Sequence, residues 1–139
     1  MALYNVFNIA GSSMSAQSVR LNTVASNLAN ADVVNTNEKN VYRSRQPVFS
    51  AVMNSLDGSN NAASASVRVS AIVESNASAR KEFQPDHPLA NKDGYIFKSN
   101  VNSIEEMANM MAASRAYQNN VEVFNTSKQL LLKTLNMGR

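Results

Sequence analysis

The side chains that could do chemistry are few. His87 is the single histidine and there is no cysteine, so a two-histidine or thiolate metal site is not available. Asp86-His87 could start a Ser–His–Asp arrangement, but a catalytic histidine needs a carboxylate that orients its ring. Adjacent residues in the turn Pro85-Asp86-His87-Pro88 do not offer that geometry, and a solvated turn histidine is the simpler reading. Glu105 and Glu106 are neighbours at the start of an apolar-periodic run, where carboxylates suit a helix N-terminus better than acid–base work. The four glycines lie at 11, 58, 94 and 138, too scattered for a phosphate-cradling loop. Arg43-Ser44-Arg45, Arg68 and Arg80-Lys81 could make a basic face, yet the net charge is only +3. An ordinary solvated sheet face accounts for them better than nucleic acid. No catalytic, metal or cofactor site is expected, and the chain reads as a protein that is not an enzyme.

The elements that position these residues carry more information than the residues themselves. Ser103-Ile104-Glu105-Glu106 has the form of a capping box, with Ser103 at the N-cap and Glu106 reaching back. From there Met107, Met110, Ser114, Tyr117, Val121, Phe124, Lys128, Leu131 and Leu135 recur at alternating steps of three and four. The interior lacks Gly and Pro, so the spacing predicts a helix of about 35 residues, roughly 50 Å long. A narrow seam held over four heptads calls for a second helix.

The other end of the chain repeats the pattern. Leu3, Phe7, Ala10, Met14, Gln17, Leu21, Val24 and Leu28 form a seam broken only by Gln17. Gly11-Ser12-Ser13 and several asparagines weaken this helix, so burial of the seam rather than propensity must hold it. The two seams can pair within one chain or with neighbouring molecules, and spacing alone does not choose. Arg20 is the only charge between Met1 and Ala31, so the remaining polar face of Asn, Ser, Gln and Thr is also buriable. That favours contacts between molecules. The expected subunit-interface residues are Leu3, Phe7, Met14, Leu21, Val24, Leu28, Met107, Met110, Tyr117, Val121, Phe124, Leu131 and Leu135.

Between the helices the chain is polar and uncharged, in keeping with an overall 20 asparagines and 18 serines in 139 residues. Residues 33–40 read as loop, Val41 to Met53 as extended with Pro47 marking an edge or bend, and 54–66 as a linker. Val67 to Val73 alternates like a half-buried strand, Ala79 to Phe83 is a short one, and Asp93-Gly94 is a turn before the strand Tyr95-Ile96-Phe97. The expected fold class is α+β: long terminal helices in a coiled-coil-like pair, with a small β-rich module between them. The expected divisions are 1–32, 33–100 and 101–139. No apolar run reaches the ~18 residues that would span a bilayer, so membrane insertion is not expected. Met1-Ala2-Leu3-Tyr4-Asn5 lacks the basic and apolar regions of a cleavable signal.

Ser26-Asn27-Leu28-Ala29-Asn30-Ala31-Asp32 resembles the S-x-N-(L/I)-A-N motif near the start of bacterial flagellar rod and hook proteins. Asn102 to Met110 and Ala113 to Val123 resemble the closing helix of that family. His87-Pro88-Leu89-Ala90-Asn91 with Asp93-Gly94-Tyr95, and Tyr42 to Phe49, resemble its proximal-rod members in particular. Many family members continue the first motif into Thr-x-Gly-Tyr, where this chain has Val33-Val34-Asn35-Thr36. The resemblance implies a structural subunit of the basal-body rod that crosses the periplasm. It implies export through the flagellar type III apparatus without a cleaved signal, and polymerisation through the terminal helices. The partners it implies are other rod subunits, copies of the chain itself and the ring-to-rod adaptor FliE, with no cofactor and no nucleic acid.

Overall fold

The computed structural model describes residues 2–54 and 64–137. In chain order the elements are α1 (Ala2–Ala29), β1 (Val34–Asn35), a 3-10 turn (Glu38–Asn40), β2 (Arg45–Asn54), β3 (Ser64–Glu74), β4 (Arg80–Phe83), β5 (Tyr95–Lys98) and α2 (Ser103–Met137). This is an α+β chain whose terminal helices flank antiparallel sheets. Among the described residues no helix is long and apolar enough to cross a membrane.

The two helices run antiparallel against each other. Phe7 meets Phe124 edge-on with centroids 4.9 Å apart, Arg20 Nη2 donates to Asn109 Oδ1, and Asn27 meets Glu106. Several of the buried residues of the two helices are small: Ala10 on one side, Ala113 and Ser127 on the other. Small residues let the backbones approach closely, which offsets the modest apolar area each contributes. The opposite side of α1 lies on β2 and β3. There Ser12 Oγ accepts from the Val67 N–H, and Ala16 and Thr23 are buried. The charge-poor polar face of α1 is thus covered in part by the chain's own hairpin.

β2 and β3 form a two-stranded antiparallel sheet, registered from Arg45↔Glu74 to Asn54↔Ser64. The register shifts after Val48↔Ala71, so Ser70 is the extra residue of a bulge, and its Oγ donates to the Val48 carbonyl. Both strands are edges, which accommodates Pro47. β1, β5 and β4 make the second sheet in that order. Its centre is Ile96, fully buried, continuing into Ser99 and Val101.

Three local expectations change. Residues 33–40 are not all loop, because Val34 and Asn35 pair with Lys98 and Phe97, partners 64 and 62 residues away that local spacing cannot reveal. The linker expected at 54–66 is shorter, since Ser64, Ala65 and Ser66 pair with Asn54, Met53 and Val52 despite poor strand propensity. The remainder of that stretch, 55–63, lies outside the described residues. The cap of α2 is Asn102 rather than Ser103: its Oδ1 accepts from the Ile104 N–H and its carbonyl from Glu106 N–H.

Gly94 holds a left-handed φ of 79°, and a Cβ there would come within 2.9 Å of the Phe83 ring. Gly94→Ala should therefore cost about 1–3 kcal/mol. Chemical denaturation of the variant against the parent chain measures it.

Candidate assembly surfaces and the node that orients them

One side chain joins the three parts of the molecule. Asn27 lies in the last turns of α1 and is fully buried. Its Nδ2 donates to the Arg45 carbonyl at 2.8 Å and to Glu106 Oε1 at 2.9 Å. Its Oδ1 accepts from the Arg45 N–H at 2.9 Å and from the Tyr42 hydroxyl at 2.8 Å. Both amide protons and both carbonyl lone pairs are used. Toward Arg45 the amide acts as a strand partner would, exchanging N–H and C=O with the first residue of β2. A helix side chain thereby closes the edge of the hairpin and holds α2 at the same time.

Glu106 supplies the α2 side of the node. It is 5% exposed, and it faces Asn27 instead of reaching back to cap its own helix. Burial is the largest influence on its carboxyl and pushes its titration up; the hydrogen bond from Asn27 and the charge of Arg20 pull it back, while Glu105 adds to the rise. A second set of contacts fixes the segment entering α2. Arg80 donates from Nε to the Ser99 carbonyl and from Nη2 to the Val101 carbonyl. Asn100 accepts from Ser44 N–H and donates to the Ala77 carbonyl. Arg45 forms an ion pair with Glu74 at 2.9 Å. Two of the cations that might have shared a basic face are therefore engaged within the chain. His87 Nδ1 accepts from the Leu89 N–H, which commits that nitrogen to the turn.

The helix seam differs from the spacing in one of its two rows. In the first row Met110, Phe124 and Leu131 are half-buried and Tyr117 is exposed, with Phe124 meeting Phe7 across the helix pair. The second row is Glu106, Ala113 and Ser127, one residue before the predicted Met107, Ser114 and Lys128. Periodicity weighted toward large apolar residues selects the neighbouring position here, because the buried positions of α2 are held by small and polar residues. On α1, Val24 is buried, while Phe7, Met14, Leu21 and Leu28 are half-buried; Leu3 lies near the start of the helix. Val121 is half-buried, and Met107, Tyr117 and Leu135 remain exposed. α2 runs thirteen residues past Phe124, whereas α1 runs only five past Phe7. The end of α2 thus extends beyond its partner with Leu130, Leu132, Leu135 and Met137 exposed on several sides.

Asn27→Ala removes four hydrogen bonds and strands the Glu106 carboxylate and the Arg45 backbone. It should cost about 3–5 kcal/mol, read by urea denaturation. Glu106→Gln keeps an acceptor for Asn27 and removes a buried charge. Because the folded carboxyl titrates above its unfolded counterpart, its stabilising contribution is complete below the ordinary glutamate range and is lost as pH rises through the raised value. The variant should therefore gain on the parent at pH about 7 and lose that advantage near pH about 4. Denaturation midpoints of both proteins across that range check this.

Comparison with known proteins agrees with this architecture. Residues 7–35 match the family described as flagella basal body rod protein, and residues 92–137 match the C-terminal region described for the flagellar basal body rod FlgEFG proteins. The flagellar basal-body rod protein FlgC of Salmonella typhimurium is 46% identical over 139 residues, covering all of both chains. That of Escherichia coli O157:H7 is 48% identical over the same length, also covering both chains completely. That of Bacillus subtilis is 34% identical over 151 aligned positions, again with full coverage of both. The chain belongs to the FlgC family of flagellar basal-body rod proteins, whose members are structural.

Proposed function

We propose that this chain is a non-enzymatic subunit of the proximal part of the basal-body rod, built into the tube through its terminal helices. The observation that carries this reading is the apolar end of α2. A helix that is hydrophobic on several sides and extends past its intramolecular partner needs further partners to bury it. Within the chain, the seams hold the helices together as one unit; between chains, Met107, Tyr117, Leu135 and the exposed residues around them make the contacts. The half-buried members of the expected interface set, from Phe7 and Met14 to Phe124 and Leu131, contribute at the rims of those contacts. Residues 33–100 form the outward module. The neighbours are other rod subunits, copies of the chain and the ring-to-rod adaptor FliE, reached after type III export. The charge-poor first helix suits both steps, since it threads without stranding charge and orders when its seam is covered.

Leu135 is 63% exposed, so Leu135→Asp should leave the fold within about 0.5 kcal/mol of the parent. The same change should abolish incorporation into rods and motility in a strain that depends on this chain. Fractionated basal bodies probed for the variant give the answer, and normal swimming would overturn the reading.

A further inference from the structure

An aspartate followed by a glycine can rearrange without any enzyme. The glycine nitrogen bonds to the aspartate side-chain carbonyl carbon and a cyclic imide closes. The carboxyl oxygen leaves as water, taking the amide proton with it. Water then opens the ring, and where it breaks the bond to the main-chain carbonyl the chain continues through the side chain. The product is isoaspartate, of unchanged mass but one methylene longer in its backbone. Glycine permits the attack because no Cβ crowds its nitrogen. The loop before β5 holds such a pair, Asp93-Gly94, with Asp93 exposed. The fold requires the glycine, since Gly94 has a φ of 79° and Phe83 and Pro85 occupy the space of a Cβ.

One residue ties up the nucleophile and both of its neighbours. The Gly94 N–H donates to the Asn91 carbonyl at 3.0 Å. The Asp93 and Tyr95 N–H groups donate to Asn91 Oδ1 at 3.0 and 2.9 Å. The Asn91 N–H in turn donates to the Tyr95 carbonyl, and the Gly94 carbonyl accepts from the Gln84 N–H, each at 2.9 Å. An amide bonded to a carbonyl keeps its proton until that bond opens. The closed turn also fixes the Asp93 ψ torsion, on which ring closure depends. We infer that Asp93-Gly94 is a latent isoaspartate site, held shut by Asn91 in the folded chain and opened when this loop unfolds. Tyr95 begins β5 and pairs with Phe83, so an added methylene at residue 93 displaces the turn from the first pair of the strand. Isomerisation is thereby confined to unfolded chains, and it removes the geometry they need to rebuild the loop. The inference stands independently of the rod reading.

The test ages the full-length chain at neutral pH, folded and in urea. Digestion at glutamate places Asp93 and the chain's other Asp-Gly, Asp57-Gly58, in different peptides. Electron-transfer fragmentation then tells isoaspartate from aspartate at residue 93. The folded parent should accumulate isoaspartate there at least about tenfold more slowly than the parent in urea, as a loop closed most of the time dictates. Asn91→Ala removes the acceptor of two amides and should raise the folded rate at least about fivefold. Asn91→Asp keeps an acceptor oxygen in place and should resist as the parent does. Circular dichroism establishes that each variant compared is folded. Hydrogen exchange at the Gly94 amide of the parent, expected to be slow, tests the same closure without a substitution. Equal rates for the folded and urea-treated parent, a folded Asn91→Ala as resistant as the parent, loss of resistance in folded Asn91→Asp, or an unprotected Gly94 amide would each overturn the inference.

Discussion

The Asn27 amide is the constraint on which the rest of the molecule depends. A side-chain amide has two donors and two acceptor lone pairs, and burial makes every unmet one costly. Here all four are met by groups from three different segments: the start of β2, the Tyr42 hydroxyl and the first turns of α2. The condition can be satisfied in only one relative placement of α1, α2 and the hairpin. Apolar packing specifies this placement less sharply, because the most buried positions of α2 along the contact are the small Ala113 and Ser127 and the polar Glu106, and the Phe7–Phe124 pair fixes the helices at one level only.

This division of labour suits a subunit whose stability must be shared with its neighbours. The chain's own core is small, centred on Ile96 and Val101, and many large apolar side chains remain on the surface. Polar bonds give the subunit its shape, and much of its large apolar surface stays exposed. Arg80 and Asn100 do for the segment entering α2 what Asn27 does for the end of α1: they bind backbone groups that no sheet or helix would otherwise satisfy. The hairpin depends on α1 in turn, since a two-stranded sheet with two open edges has little stability of its own.

Much of the framework was legible in the residue order. The helices follow from apolar recurrence at three and four without interior Pro, and their bounds fall within a few residues of the spacing. Pro47 and the Asp93-Gly94 turn act locally and were legible for the same reason. The seam was legible in one row and misplaced in the other. Met110, Phe124 and Leu131 announce themselves by size, while Ala113 and Ser127 do not, although they allow the close approach. Asn27 could be seen as part of a motif, but its residue type by itself says only that it is a poor helix former.

What the sequence by itself determined is therefore periodic and local: two long amphipathic helices, a polar strand-rich middle, little charge at the first end and a resemblance to rod proteins. What only the tertiary structure decided is pairing at a distance. It joined the helices to each other within the chain, brought Val34 to Lys98, and turned Glu106 from a presumed cap into the buried partner of Asn27. The physical reason is that periodicity records which face of an element is apolar, whereas partner choice depends on hydrogen-bond complementarity between groups up to 79 residues apart. Such complementarity exists only once the backbone has placed them side by side.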